Sequence, residues 1–125
     1  MECNPLPGMQ PAALHLLGDL AAYDREFQLL LENWFDAEQL EIASGELERV
    51  RQACSAFRHL AVPWTRLLTT HCELLHATWL HAAAATDDSA ERASALRARH
   101  KVCVASLGAA LADSGWRMGG DAPPH

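Results

Sequence analysis

Residues 35–61 read FDAEQLEIASGELERVRQACSAFRHLA, and this stretch decides the fold. At its head Asp36 is a helix-capping residue type, Gln39 follows three positions later, and Phe35 and Leu40 flank them. That is the pattern of a capping box closed by a hydrophobic staple. Behind it Leu40, Ala43, Leu47, Val50, Cys54, Phe57 and Ala61 recur at alternating intervals of three and four, so they share one helical face. Val62-Pro63 is the expected stop, because the residue before a proline is pushed out of the α region.

The same periodicity extends in both directions. A first helix runs from about Pro11 to Trp34, with Pro11 pre-setting φ at its first position and Ala13, Leu17, Leu20, Phe27, Leu31 and Trp34 as its seam. A third helix opens at Pro63 and carries Trp64, Leu68, His71, Leu75, Thr78 and Ala82. Thr86-Asp87-Asp88-Ser89 breaks it, and Asp88 with Glu91 reads as a second capping box. The fourth helix carries Ala93, Leu96, His100, Cys103, Leu107 and Ala110 or Leu111, and ends near Gly115. Residues 1–10 and 116–125 read as flexible tails around a single domain at 11–115.

Composition agrees. The 125 residues include 23 Ala and 19 Leu against ten β-branched residues, and the former lose the least rotamer freedom in a helix. Four helices with short turns predict an all-α, up-down-up-down antiparallel four-helix bundle. The alternative is three helices whose fourth face comes from a dimer partner. In architecture alone such a bundle resembles bacterial secretion chaperones and adaptor proteins, which does not license a function.

Composition also narrows the function classes. The net charge is -6, with nine Arg and one Lys, a poor basis for nucleic-acid binding. No apolar run reaches the ~18–20 residues of a membrane span. The N-terminus lacks a basic segment followed by an apolar one, so a cytoplasmic, reducing location is expected and the four cysteines should be thiols.

Several seam positions are not apolar. Asp24, Cys54, His71, His100 and Cys103 all fall on core-facing stripes. Counting outward from the turns puts Cys54, His71, His100 and Cys103 near one level, a set of thiolate and imidazole donors suited to Zn²⁺ or copper. This metal-binding or metal-sensing layer is the alternative functional reading. The favoured reading assigns no metal and no cofactor: the cysteines pack as small hydrophobes, the histidines bond to Asp24 or a helix-3 threonine, and Asp24 reaches toward Arg51. Glu73-Leu74-Leu75-His76 matches the Glu-x-x-His of di-iron bundles only once, where two copies are needed. Cys72 with His76 lacks a third group to orient the histidine, so no catalytic residue is assigned.

Charge is distributed unevenly. Residues 19–48 hold nine acids and one base, net -8, whereas residues 49–117 hold nine bases and five acids, net +4. Leu16, Leu29 and Leu30 widen the apolar arc of helix 1 beyond one stripe. The resulting expectation is a non-enzymatic protein–protein interaction module, an adaptor, chaperone or regulator. Its contact residues are Glu38, Glu41, Glu46 and Glu48, with Leu30 and Trp79 as apolar anchors. The expected partner is a basic or amphipathic helical protein, or a second copy joined acid to base through Arg92, Arg97, Arg99 and Lys101. Trp116 reads as the most exposed aromatic, and Cys3 as incidental.

Overall fold

The structure is a computed structural model that describes residues 11–119, with side chains described through Asp113. Four helices form the bundle: α1 (Pro11–Glu32), α2 (Ala37–Cys54), α3 (Ala61–Ala83) and α4 (Asp87–Gly119), with a single 3₁₀ turn at Arg58–Leu60 between α2 and α3. No strand occurs among the described residues. α1 packs along both α2 and α4, α3 packs along α4, and α2 scarcely touches α3. Of the expected tails at 1–10 and 116–125, residues 116–119 belong to α4, while residues 1–10 and 120–125, Cys3 and the Trp116 side chain lie outside the described residues.

Local chemistry sets the helix boundaries. Asp36 Oδ1 accepts the backbone N–H groups of Glu38 at 3.0 Å and Gln39 at 3.2 Å, so the N-cap forms as read. The reciprocal arm of the box does not form. Gln39 instead donates to the Glu26 carbonyl at 2.8 Å and to its Oε1 at 2.9 Å, tying α2 to α1. Phe35 is exposed and sits edge-on to Trp34, with ring centroids 5.0 Å apart. At α4 the box lies two residues upstream of Asp88/Glu91. Thr86 N–H donates to Ser89 Oγ at 2.8 Å, and Ser89 N–H donates to Thr86 Oγ1 at 2.9 Å. Asp87 and Asp88 then fall in the first turn, favourable against the helix dipole.

The second helix ends at Cys54 rather than at Val62-Pro63. Phe57 N–H bonds to the Cys54 carbonyl at 2.9 Å and Leu60 N–H to the Phe57 carbonyl at 3.0 Å, a tightening of the ladder that turns the chain. The turn buries both Phe57 and Leu60 and leaves Ala61, which the helical period would have placed on the core face, exposed. Pro63 becomes the third residue of α3. First-turn N–H groups have no intrahelical acceptor in any case, so the proline costs nothing there. α4 likewise continues past Gly115 to Gly119, because an isolated glycine weakens a helix without ending it.

The core is one cluster. On α1 the fully buried positions are Ala13, Leu16, Leu20, Tyr23, Phe27 and Leu30, while Leu17, Leu31 and Trp34 of the expected seam are half-buried. α1 contacts two helices, so its buried arc spans both sets. α3 buries Leu67, Thr70, His71, Leu74 and Ala77, and α4 buries Leu96, His100, Leu107 and Leu111. Gly108 faces Leu17 and Leu20 of α1, whereas a Cβ at Gly45 would meet nothing within 4 Å.

Two changes on α2 test its local energetics in opposite directions. Asp36→Ala should lower unfolding free energy by about 1 kcal/mol, and Gly45→Ala should raise it by up to ~1 kcal/mol, both read from urea midpoints at unchanged m-value.

Candidate functional site

The most distinctive group in the core is polar. Tyr23 Oη on α1 lies 2.7 Å from His71 Nδ1 on α3 and 2.7 Å from His100 Nε2 on α4. Tyr23 and His100 are fully buried and His71 is nearly so. Phe27, one turn along α1, roofs both imidazoles: its ring stacks on His71 at 4.5 Å and lies 4.7 Å from His100. A hydroxyl has one proton to donate and lone pairs to accept, so Tyr23 donates to one imidazole and accepts from the other. Of the two ring nitrogens that Tyr23 does not engage, His100 Nδ1 is buried without a hydrogen-bond partner.

Burial keeps this layer neutral. Desolvation pushes His71 from 6.5 down to about 4, reinforced by the neighbouring His100. Desolvation lowers His100 to about 4 as well, with Arg97 adding to the shift. The Tyr23 phenol is driven far above its ordinary value, first by burial and then by Asp24, Cys72 and Cys103. Two neutral imidazoles and a protonated phenol bonded to one another join three helices at one level.

The four metal-ligand candidates divide. His71 and His100 come together, but through Tyr23. Cys103 is half-buried with its Sγ 3.4 Å from Thr70 Oγ1. Cys54 is buried elsewhere, in a pocket of about 300 Å³ at the α2–α3 turn that Arg51, Arg58 and Trp64 also line. Burial raises the Cys54 thiol to about 11. Among the described residues no three of His, Cys, Asp or Glu are grouped to hold a metal ion. Asp24 reaches Gln28 at 3.3 Å rather than Arg51, which pairs with Glu48 on its own helix. Cys72 and His76 are both exposed on α3. His81 bonds through Nδ1 to Ser89 Oγ at 2.7 Å across the α3–α4 turn.

The surface candidates also divide. Leu30 is not an exposed anchor: it is 0% accessible, packed in the core, and its neighbour Leu29 is the exposed one. Trp79 is 57% exposed, as a docking residue requires. It lines a groove of about 400 Å³ with Trp34, Phe35, Ala82 and Ala83. Glu38, Glu41 and Glu48 are exposed and Glu46 is half-buried. Glu48 is occupied by Arg51 and Gln52.

The bundle is polarised along its axis. Segments 32–38 and 79–88, which form the grooved end, carry Glu32, Asp36, Glu38, Asp87 and Asp88 and no Lys or Arg. Segment 49–66, at the other end, carries Arg49, Arg51, Arg58 and Arg66 and no acid. Two bases of α4 are paired across the bundle: Arg97 bonds Gln28 at 3.0 Å and approaches Glu32 at 3.5 Å, and Arg99 lies 3.9 Å from Glu73.

No known family model, curated protein or solved structure matches the chain. No helix among the described residues is long and apolar enough to cross a membrane.

Tyr23→Phe removes the shared hydroxyl and leaves two more imidazole nitrogens unpaired. At ~1–3 kcal/mol for each unsatisfied buried group, the variant should lose ~2–6 kcal/mol in denaturant unfolding. Both folded histidine pKa values lie below 6.5, so the unfolded chain binds more protons between pH ~4 and ~6.5. Stability is complete above that window and falls with acidification by ~1.4 kcal/mol per pH unit for each histidine. An apolar layer, Tyr23→Phe/His71→Leu/His100→Leu, should flatten that part of the pH profile.

Proposed function

We propose that the protein is a non-enzymatic docking module of the adaptor, chaperone or regulator kind, working in a reducing, cytoplasmic setting. Its contact surface is the aromatic groove of Trp34, Phe35 and Trp79 rather than the Leu30 strip. The observation that carries this reading is the exposure of Trp79 and Phe35 side by side in one groove. Exposed aromatics in a pocket are the residue types that dominate binding energy at interfaces.

The acids around the groove define the partner. Glu32, Asp36, Glu38 and Glu41 are exposed at or near this end, and an acidic rim around an apolar centre favours a basic amphipathic helix. α2 offers the rim well because it packs mainly on α1 and leaves its outer face open.

A helical peptide with alternating Lys and Leu faces serves as the probe, followed by tryptophan fluorescence and calorimetry. Trp79→Ala should weaken binding by roughly 30-fold, the loss of a hot spot worth ~2 kcal/mol. Glu38→Lys/Glu41→Lys should weaken it several-fold at low salt and little at high salt. Binding that is indifferent to both changes overturns the reading.

A further inference from the structure

The chemistry that the groove asks of a partner, basic and apolar together, is present on the chain's own opposite end. The α2–α3 turn and the first two turns of α3 expose Arg58, Val62 and Arg66, with Val62 61% accessible. Arg58 and Arg66 make no ion pair among the described residues. α3 separates this turn from Trp79 and Ala83, and its 23 residues are about 34 Å long at ~1.5 Å per residue. The two ends therefore cannot meet within one chain.

We propose that the groove of one copy receives the α2–α3 turn of a second copy, so that the protein associates head to tail. This rests on the groove being a docking surface, and it names the occupant. Val62 would enter between Trp79 and Phe35, while Arg58 and Arg66 lie against Asp36 and Glu38.

Charge selects this arrangement over the alternatives. Two copies each carry -6 and repel on average. A two-fold dimer joining groove to groove would oppose like-charged rims, and one joining turn to turn would oppose arginines. Only groove to turn converts the repulsion into attraction. Such a contact is heterologous, so it leaves a free groove at one end and a free turn at the other. It propagates unless the rotation closes a ring. One groove and one turn make a small interface, so each contact is weak and sensitive to salt.

Sedimentation tests this on the full chain between about 10 µM and about 1 mM, at low and high salt. The wild type should associate with rising concentration, at least about tenfold less tightly in high salt. Phe35→Ala/Trp79→Ala breaks the groove and Arg58→Glu/Val62→Asp breaks the turn. Each variant should be monomeric alone, and their mixture should stop at a 1:1 heterodimer, because one intact groove meets one intact turn. That pairing also shows both variants to be folded. A wild type that stays monomeric at about 1 mM in low salt overturns the proposal, as do variants that still self-associate and a mixture that stays monomeric. The Lys/Leu peptide is titrated in parallel. Peptide binding without self-association removes only the second copy as occupant, and the absence of both removes the docking surface too.

Discussion

One phenol hydroxyl organises this fold. Tyr23 must satisfy two buried imidazoles with a single proton, and its two contacts at 2.7 Å fix α1 against α3 and α4 together. Direction can be assigned from the orphan. If Tyr23 donates to His71 Nδ1 and accepts from His100 Nε2–H, the unpaired His100 Nδ1 is a bare acceptor. The opposite direction would make it a buried, unpaired N–H, the rarer and costlier defect. The first arrangement is therefore favoured, with both histidines carrying their proton on Nε2. Sliding any of the three helices by a residue would strand polar atoms in an apolar interior, whereas leucines alone would tolerate it. The layer thus supplies uniqueness of packing more than gross stability.

α2 stands outside that constraint. It contributes only Ala43, Val50 and Cys54 to the fully buried set and is fastened to α1 by apolar contact and by Gln39 on Glu26. An element with few buried groups can carry a high density of charge without endangering the core. That explains why the acids of the chain concentrate there and around its N-terminus. Arg97 and Arg99 of α4 face acids on α1 and α3, so the same charge imbalance that looks bipartite in sequence becomes an axial polarity in three dimensions.

The helices were legible from their period and the site only partly. Asp36 announced α2 because a cap is a local device, and His71, His100, Leu96 and Leu107 fell on the faces where the core lies. Tyr23 was missed, although Leu16, Leu20, Tyr23, Phe27 and Leu30 repeat at four and three more regularly than the seam chosen. Helix 1 has more apolar residues than one stripe can hold, and periodicity alone cannot say which stripe faces two neighbours and which faces one. The same ambiguity made Leu30 look like a surface anchor. Pro63 misled for a different reason: the proline rule is positional, and it loses its force within the first turn of a helix. Phe57 continued the α2 period through a 3₁₀ turn, where spacing is preserved and direction is not.

Layer and groove are linked by register. Trp34 lies three turns beyond Tyr23 toward the end of α1, and Trp79 lies two turns beyond His71 on α3. The Tyr23–His71 bond sets the height of α1 against α3, and so sets whether the two indoles meet across the groove. Phe27 against His71 reinforces the same pairing from one turn nearer the groove. A polar contact in the interior can therefore specify the shape of an apolar surface well outside it, without touching it. What the packing holds fixed is a distance along two helices. The residues between, Leu30 and Leu31 on α1 with Leu74 and Ala77 on α3, transmit it by close packing.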